Sequence, residues 1–594
     1  MSSIYDKSSL VLIPSGTKTS KVYSQKPTNG DGDFDFTRST TATRIAANGN
    51  IEKETQNLLL QSNSFDTTWT SSATNASVTG GQSDPNGGSS AWLVTESNDG
   101  GSIRQSVSVS GVLTFSMYLK YNSGATPAAS LFCTDNNQNA SFNLSTGVVY
   151  GLNNLIDASM EDVGGGWYRC SVTFNASAAS TMILFPNNPA GIGSCFAWNA
   201  QLNQGLIAQE VITTTTTALY GGITDNVPRL DYTDSSCPAL LLEPQRTNII
   251  PYSEYLNHSS WIKNVNSSVS QNYAISPEGK QNASLISNTL VTGSCDYYVN
   301  LPGSASTLYT LSAFVKASTH SKCVLRGYVG HSGNGDTPAA IFDLSSGSVV
   351  QEYGVATNSD INPIGNDGWY RVQTTFLTAG TNLYFNILPL SDSYGWSSAY
   401  NAPNNYGSVG GILAFGAQVE ANASYPTSYI PTYGTNVTRN ADACNSAGDA
   451  NTFNDSEGVL YAEIGALSND LNIESVSISD TSAANRVVIF KWNTSNSIRA
   501  RITSGGANIN LDFQVTNITS INKIAVKYKT NDFALWINGV EVRTNTNGSN
   551  PSGLNQLAFN SDGGSGAHFY GNTKQILYFP TALSDTELAT LTTI

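Results

Sequence analysis

Short stretches in which apolar and polar side chains alternate with a period of two dominate the chain. Such a period is typical of a half-buried β-strand, whose successive side chains point to opposite faces. The clearest run has apolar side chains at Leu113, Phe115, Met117, Leu119 and Tyr121. The runs 167–174 and 523–529 alternate in the same way. The pattern therefore predicts a chain built from many short strands.

Two local signals complete this prediction. Asn538-Gly539 stands between two apolar runs, and this dipeptide favours a tight β-hairpin turn. The tail at 582–591 is the single predicted helix, because Ser584 and Glu587 have the spacing of a capping box. We predict an all-β protein with one terminal helix.

The chain contains an internal repeat. The block GGWYRCSVTF at 165–174 returns as DGWYRVQTTF at 367–376, and other landmarks keep their order around it. The pairs are Asn57 with Asn248, Trp69 with Trp261, Phe115 with Leu311, Phe142 with Phe342, Trp167 with Trp369, and Ala200 with Ala417. The offset between partners only grows, from 191 to 217, as expected when loops of a duplicated module accept insertions. We predict two tandem antiparallel β-sandwiches, with the paired tryptophans buried at equivalent positions.

These observations divide the chain into five parts. The predicted parts are an N-terminal attachment arm at 1–56, module 1 at 57–204, an extended connector at 205–245, module 2 at 246–440 and a different β-domain at 441–594. Three prolines, Pro228, Pro238 and Pro244, exclude a helix from the connector. The leucines at 240–242 favour an ordered strap over a loose tether, because they need burial.

The arm at 1–56 is too short and polar to form a core alone. Its seven basic and six acidic residues give a net charge of +1, whereas the whole chain carries −15. We expect it to become ordered against another protein. Asp31, Asp33 and Asp35 lack the glycine and the distal glutamate of an EF-hand loop, so a polar turn is favoured over a calcium site.

Charge and cysteine usage exclude several classes of protein. A net charge of −15 argues against nucleic-acid binding, which needs clustered basic residues. The seven cysteines lack CxxC spacing, which favours reduced structural thiols over disulfides or zinc ligands. No signal-peptide pattern and no run of about 18 apolar residues occurs. We expect synthesis in a cytoplasm and no membrane insertion.

Several blocks resemble a family of bacteriophage virion fibre or surface proteins. These blocks are FTR at 36–38, PRLDY at 228–232, LLEPQRTN at 241–248, GAQVE at 416–420 and SYPTSYIPT at 424–432. Module 1 lacks the SYPTSYIPT close and runs into a threonine tract at 213–217. The resemblance implies jelly-roll modules similar to carbohydrate-binding modules. LWING at 535–539 and the tail at 583–588 resemble a laminin-G or concanavalin A-like sandwich.

The same resemblance implies a role and partners. It places the protein on the surface of a virion assembled in a bacterial cytoplasm, joined to other virion proteins through residues 1–56. It also favours a homo-oligomer, with a trimer as the expected form, and binding to glycans. The alternative is a secreted bacterial protein that binds or degrades polysaccharides, which the missing signal peptide and the unpaired cysteines disfavour.

The residues offer little support for catalysis. The four histidines, His258, His320, His331 and His568, lie in no motif with a nucleophile or a metal ligand. Glycoside hydrolysis would need two carboxylates across a cleft. The available Asp231, Glu243 and Glu420 all lie in blocks of the resemblance. We expect no enzyme activity, no cofactor and no metal.

One insertion is the candidate binding site. The repeat offset rises from 202 to 217 between Phe376 and Ala417, so module 2 has 15 additional residues there. The inserted aromatic residues are Tyr394, Trp396, Tyr400 and Tyr406. Large aromatics among Ser, Gly and Asn give rigid contact area with adaptable hydrogen bonding. We predict a carbohydrate-binding loop; a loop that covers its own sheet edge or a neighbouring subunit is the alternative.

Overall fold

The computed structural model describes residues 2–72, 75–177, 179–188, 191–291, 295–328, 337–391, 408–562 and 566–594. Strands account for nearly all regular structure within these ranges. The described helical segments are the turn Ser2–Asp6, a 3₁₀ turn at Asp135–Asn137 and the helix Asp585–Thr592. None of these helices is long and apolar enough to cross a bilayer.

Module 1 is a sandwich of two six-stranded antiparallel sheets. One sheet has the strand order Asp157–Gly164, Trp167–Ala176, Gly111–Gly124, Gly193–Gln204, Ala91–Glu96 and Ala76–Gln82. The other has the order Val148–Asn153, Gln138–Asn143, Ala128–Cys133, Ser180–Phe185, Ile103–Val107 and Thr70–Ser71. Side chains that alternate toward the space between the sheets form one continuous core, which includes Phe115, Met117 and Leu119.

Module 2 repeats this arrangement strand for strand. Its first sheet runs Thr357–Ile364, Trp369–Leu377, Leu308–Ala317, Gly410–Ala421, Ala283–Asn288 and Ser267–Ala274. Its second runs Ser348–Tyr353, Ala339–Asp343, Lys322–Tyr328, Asn382–Leu390, Tyr297–Pro302 and Trp261–Lys263. Both sheets match the order in module 1, so the duplication predicted from the sequence is confirmed. Trp69 and Trp261, and Trp167 and Trp369, are all buried as predicted.

The repeat extends to backbone irregularities. In both modules the long central strand shifts register against the strand that ends the module, between Ser116 and Tyr118 and between Ser312 and Phe314. The residue at this bulge has a positive φ, 48° at Asn199 and 60° at Gly416. Asparagine and glycine adopt that conformation most readily, so different residues meet the same need at this position.

The segment after each module closes it through the same hydrogen bonds. The Asn57 side chain donates to the carbonyls of Ala200 (2.9 Å) and Ile212 (2.7 Å). In module 2, Asn248 donates to the carbonyls of Ala417 (3.1 Å) and Ile430 (2.9 Å). Module 1 therefore has a closing segment that its sequence did not reveal, because the bond to this segment uses a backbone carbonyl, that of Ile212, which any residue could supply.

The C-terminal domain is a second kind of sandwich. Its five-stranded sheet has the order Ala507–Gln514, Ser497–Ser504, Arg486–Lys491, Glu474–Ser479 and Gln556–Ala558. The facing eight-stranded sheet contains Arg229–Asp231, Ala239–Leu242, Gly571–Phe579, Glu457–Ala466, Asn522–Lys529, Phe533–Ile537 and Val540–Asn545, with Leu10–Leu12 also paired to Gly571–Phe579. The predicted hairpin turn at Asn538-Gly539 and the capping box of Ser584 with Glu587 are both confirmed.

Residues 1–56 are packed on their own chain. Leu10 and Leu12 are fully buried in the core of the C-terminal domain, and Val11 packs on the other face of the same sheet. The segment was predicted to be an arm ordered by another protein, and the structure shows this chain as its partner instead. An attachment role stays a prediction. The leucines at 240–242 of the connector are buried as expected, again in the C-terminal sheet.

Short strands form four small sheets besides those of the sandwiches. A four-stranded sheet joins Thr17–Lys18, Lys21–Val22, Phe34–Thr37 and Ala443–Asn445. Three two-stranded pairs join Leu219–Gly221 to Thr55–Asn57, Arg246–Asn248 to Val437–Arg439, and Arg44–Ile45 to Ile51–Glu52. In the predicted polar turn, Asp33 accepts hydrogen bonds from Ser24, and Asp35 pairs with Lys21. No disulfide joins any of the seven cysteines, all of which lie among the described residues, and Cys237 is the exposed one.

A cluster of five buried charges lies where the N-terminal segment, the connector and the end of module 2 meet. Asp442 pairs with Arg38 (3.1 Å) and with Arg229, and it accepts the backbone N–H of Glu243 (2.8 Å). Glu243 pairs with Arg229 and Arg439. Burial opposes ionisation of Glu243, but the charges of Arg439 and Arg229 hold its pKa well below the usual range.

The first prediction concerns this cluster. Asp442→Asn should destabilise the protein by about 3–5 kcal/mol, because it leaves three buried guanidinium groups with one carboxylate. Asp35→Asn is the matched control in the same region: its partner Lys21 is exposed, so a loss below about 1 kcal/mol is expected. Chemical denaturation measures both. Equal stability of the two variants would contradict the structural role of the cluster.

The second prediction concerns the repeated tryptophan. Trp369→Ala should cost about 3–5 kcal/mol through the cavity it leaves among Phe314, Phe415 and Tyr429. Tyr273→Ala removes an aromatic ring that is 56% exposed, so it should change the thermal unfolding midpoint little. A small effect of Trp369→Ala would show that its surroundings collapse into the space.

Candidate functional site

The predicted carbohydrate-binding loop lies outside the described residues. Tyr394, Trp396, Tyr400 and Tyr406 all fall in 392–407, between the strands Asn382–Leu390 and Gly410–Ala421. Their role in binding stays a prediction. The described residues offer another candidate, on the outer face of a sheet in module 1.

An aromatic patch occupies this outer face, which points away from the core between the two sheets. We call it the module 1 aromatic face, and it consists of Tyr118, Trp167, Phe196 and Trp198. Strand register brings the four together, because Tyr118 pairs with Trp198 on one neighbouring strand, while Lys120 pairs with Trp167 on one side and Phe196 on the other. Residues two apart on a strand share a face, so the rings adjoin.

The rings contact one another at their edges. The ring centroids of Tyr118 and Trp198 are 5.1 Å apart with their planes at 61°, and those of Trp167 and Phe196 are 6.3 Å apart. Such offset and edge-to-face geometries are the favourable ones for aromatic pairs. The Arg169 guanidinium lies 5.5 Å from the centre of the Tyr118 ring. These contacts hold the rings in place without a ligand.

A polar loop supports one end of the face. The Trp198 indole donates to Ser90 Oγ at 2.8 Å. Ser90 is itself fixed by Asp84, which accepts from the Ser90 hydroxyl (2.7 Å) and backbone N–H (3.1 Å). These bonds hold the pKa of Asp84 below its ordinary value, the Ser90 hydroxyl having the largest effect. The loop therefore presents the indole edge of Trp198 in one orientation.

The equivalent face of module 2 is covered. Its residues are Phe314, Trp369, Leu413 and Phe415, and Phe314 is only 2% exposed. Tyr429 and Ile51, the latter from the N-terminal segment, pack on them in one apolar cluster. In module 1 Trp167 and Trp198 are buried as well, but Tyr118 and Phe196 are only partly buried, and the apolar cluster that they pack against contains module 1 residues only, within the described chain.

A single replacement in the closing segment accounts for part of this difference. Ile212 and Ile430 occupy matching positions, since each donates its backbone N–H to the glutamine of its module, Gln201 or Gln418. The preceding residue is Tyr429 in module 2 but Val211 in module 1. Valine lacks the ring that fills the groove. The module 1 face therefore stays partly open.

Hydrogen-bonding groups border the open face. The Trp369 indole donates to the Ile275 carbonyl at 3.2 Å, whereas the Trp167 indole has no acceptor among the described residues. The half-exposed side chains of Lys120 and Arg169 lie on the same face. Flat apolar rings beside unused donors suit a ligand that is apolar on one face and carries hydroxyl groups at its edge, as pyranose rings do.

Two clefts between the modules are further concave sites among the described residues. Their volumes are about 540 and 530 Å³, and Lys53, Gln204 and Gln209 line both. Lys53 pairs with Glu254 (2.9 Å) and Glu278 (2.6 Å), so buried ion pairs lie beside both clefts. Burial, then the neighbouring Asp225, raises the pKa of Glu54 in the first cleft to about 7. No aromatic face is open here apart from Tyr252 and Tyr433, and Tyr252 stacks on His258.

The carboxylates considered for glycoside hydrolysis have structural partners. Glu243 belongs to the buried charge cluster, Glu420 accepts from the backbone and hydroxyl of Thr427, and Asp231 accepts the backbone N–H groups of Ile45 and Thr233. Two histidines also have polar partners: His320 contacts the Asn288 side chain at 2.9 Å, and His258 contacts Ser260 Oγ at 3.0 Å. These contacts give the residues structural partners, and the absence of enzyme activity stays a prediction.

Comparison with known proteins gives no family. No family model matches the chain, and no curated protein matches it. Among solved structures, it is similar to the CBM40 domain of Ruminococcus gnavus IT-sialidase bound to α2,3-sialyllactose, with 17% identity over 25% of this chain and 92% of that chain and a TM-score of 0.22.

Two further structures are similar in the same range. The leech intramolecular trans-sialidase has 20% identity over 24% of each chain and a TM-score of 0.21. The tandem CBM22-1–CBM22-2 domain of Paenibacillus barcinonensis Xyn10C has 10% identity over 60% of this chain and 93% of that chain, with a TM-score of 0.18. Because all these TM-scores are below 0.5, we base no functional conclusion on them; the β-sandwich fold is shown by the strand pairing itself.

Proposed function

We propose that this chain is a non-enzymatic structural protein of a bacteriophage virion surface, and that it adheres to glycans through the module 1 aromatic face. The observation that carries the glycan role is the contrast between the repeats. One fold, with one strand order, has its outer aromatic face sealed by Tyr429 and Ile51 in module 2 and left partly open in module 1.

A partly open aromatic face needs a reason other than folding. Module 2 shows that this fold can bury the whole face by adding one tyrosine and one isoleucine, so exposure is not imposed by the scaffold. Exposed apolar patches reduce solubility and commonly mark interaction surfaces. The loops and edges around the patch are polar, which favours a ligand with hydroxyl groups over another protein.

The virion role is supported by the blocks that resemble phage surface proteins. Several of them meet in space: FTR at 36–38, PRLDY at 228–232 and LLEPQRTN at 241–248 contribute Arg38, Arg229 and Glu243 to one buried cluster. A shared structural core explains why these distant blocks occur together. We propose attachment to other virion proteins, with a trimer as the assembly and the surface of the particle as its location.

Adhesion through such a face would rely on several copies. A single stacking contact gives affinity near 1 mM, about −4 kcal/mol. Several copies on one particle would raise the apparent affinity by roughly 10²–10⁴ through avidity. A weak, reversible site is therefore sufficient for host adhesion, and no catalytic group is needed.

The third prediction tests this face. Tyr118→Ala and Phe196→Ala should each reduce retention of the full-length protein on an array of bacterial surface polysaccharides by about tenfold or more, while the thermal unfolding midpoint shifts by only a few degrees. The matched control is Leu413→Ala, at the position equivalent to Phe196 in the sealed face. It should lower stability, through a cavity, and leave retention unchanged.

Unchanged retention of folded Tyr118→Ala and Phe196→Ala proteins would exclude this face as the binding site. The double variant Trp396→Ala, Tyr400→Ala tests the predicted module 2 loop in the same assay. Gold-labelled antibodies against the protein, imaged on whole particles by electron microscopy, test the virion role separately. Particles that lack the label would contradict that role even if glycan binding holds.

A further inference from the structure

The outer face of the five-stranded sheet in the C-terminal domain carries three arginines. Arg486 starts one strand, and Arg499 and Arg501 lie two residues apart on the next. The intervening residues Ile498, Ala500 and Ile502 point into the core, so the arginines point outward. We call Arg486, Arg499 and Arg501 the arginine cluster. On a chain with a net charge of −15, three adjacent outward arginines require an explanation.

Strand register places the cluster in a compact array. Arg499 is opposite Phe490 on one side and Asp512 on the other. Arg501 is opposite Val488 and Asn510, and Arg486 is opposite Thr503. Arg486 is thus diagonal to Arg501, within reach of a long side chain. One small ligand could contact both.

Aromatic rings hold two of the guanidinium groups in place. The Arg499 guanidinium lies 3.7 Å from the ring centre of Trp492. That of Arg501 lies 5.2 Å from the Phe490 ring and 5.4 Å from the Trp492 ring. Cation–π contacts of this kind restrain arginine without using its N–H donors. The cluster is therefore ordered before any anion binds.

The three arginines differ in how many donors they have already used. Arg499 makes a bidentate pair with Asp512, at 2.5 and 2.8 Å. Arg501 donates only its Nε, to Asn510 Oδ1 at 2.8 Å, and Arg486 donates Nη1 to the Ser561 carbonyl at 2.8 Å. Among the described residues, both terminal nitrogens of Arg501 and Nη2 of Arg486 have no acceptor. A planar fork with two unused N–H groups matches a carboxylate.

The charges around the arginine cluster also favour an anionic ligand. Burial, followed by the positive charges of Arg486 and Arg499, lowers the pKa of Arg501. The acidic side chains that act on the cluster are Asp512, paired with Arg499, and Asp562, which acts on Arg486. The three arginines of the cluster face two acidic side chains, and Arg543 also acts on Asp512, so the net charge at the site is positive. An anionic ligand would neutralise it.

The surroundings of the cluster indicate the rest of the ligand. The neighbouring strand exposes three amide side chains on the same face, those of Asn508, Asn510 and Gln514. Thr503 donates its hydroxyl to Asn508 Oδ1 at 2.7 Å and adds another polar group to this face. Amides donate and accept, as ligand hydroxyl groups require. A lipid surface would favour apolar or lysine-rich surroundings instead.

We propose that the arginine cluster is a binding site for a saccharide that carries a carboxylate, with Arg501 as the bidentate anchor, Arg486 as the second donor and the exposed amides on the sugar hydroxyl groups. This site goes beyond the adhesion proposed for module 1 and lies on a different domain. Failure of either site therefore leaves the other intact.

The fourth prediction tests the site with the full-length protein and three carboxylated polymers: polygalacturonate, hyaluronan and alginate. Affinity electrophoresis should show retardation by at least one of them, and carboxyl reduction of that polymer should abolish it. Arg501→Gln should weaken retardation about tenfold or more. Arg501→Lys should weaken it similarly, because lysine keeps the charge but loses the planar fork.

The matched control is Arg543→Gln. Arg543 is an exposed arginine that also lies on an aromatic ring, 5.7 Å from the centre of Phe513. Its charge acts on Asp512, but it lies in the strand Val540–Asn545 of the other sheet, outside the cluster. It should leave retardation unchanged. Arg486→Gln provides a second test if the Arg501 variants unfold, as measured by circular dichroism.

Three outcomes would overturn the proposal. One is the absence of retardation by all three polymers. Another is equal retardation by the native and carboxyl-reduced forms, or by dextran sulfate in their place, which would show that hydroxyl groups or any anion suffice. The last is an equal loss in Arg543→Gln, which would show nonspecific attraction by positive charge. The Tyr118→Ala protein should be retarded normally, which separates this site from the aromatic face.

Discussion

Two carboxylates buried among three arginines constrain how segments that are distant in the sequence assemble. A buried ion is costly unless opposite charges and hydrogen bonds compensate it. Arg38 comes from the N-terminal segment, Arg229 and Glu243 from the connector, and Arg439 and Asp442 from the end of module 2. If any of these segments dissociated from the cluster, it would leave an unpaired charge buried in the interior. The cluster therefore fixes the position of the C-terminal sandwich, whose largest sheet receives strands from the same N-terminal segment and connector.

Comparison of the two modules shows which features the fold requires and which features can differ. Both keep the asparagine that binds the closing segment, the bulge with positive φ and the buried tryptophan pair, because each serves the backbone or the inner core. The outer faces have diverged, with Tyr118 and Trp198 in one module where Phe314 and Phe415 stand in the other. A face outside the core is free to change, so the differences between the copies are where functional differences arise.

Local and repeated patterns could be predicted from the sequence. The strand period, the hairpin at Asn538-Gly539, the capping box at Ser584 and the shared strand order depend on neighbours along the chain or on the second copy. The pairing of Leu10–Leu12 with Gly571–Phe579 could not be predicted, because its partners lie more than 550 residues away and leave no periodic signal. The closing segment of module 1 was missed because backbone atoms make its bonds.

The candidate sites show the same limit. Trp167 was predicted to be buried, and it is. Its partly buried neighbours Tyr118 and Phe196 form a surface only through strand register, which the sequence does not display. The three arginines at 486, 499 and 501 lie on two strands and become one cluster through a hairpin. The insertion between Phe376 and Ala417 was identified by comparing the sequences of the two copies, and comparing the copies in space identified the aromatic face.

The strand Leu10–Leu12 also has a consequence for biosynthesis. It pairs with Gly571–Phe579, so its partner strand is absent until the ribosome has synthesised the chain through residue 579. At about 5–20 residues per second, that delay is roughly half a minute to two minutes. During it, three consecutive apolar residues stay unpaired while modules 1 and 2 form from contiguous sequence. The C-terminal sandwich can therefore form only after the strand Gly571–Phe579 has been synthesised. A product truncated before this strand would keep an exposed apolar segment that chaperones and proteases recognise.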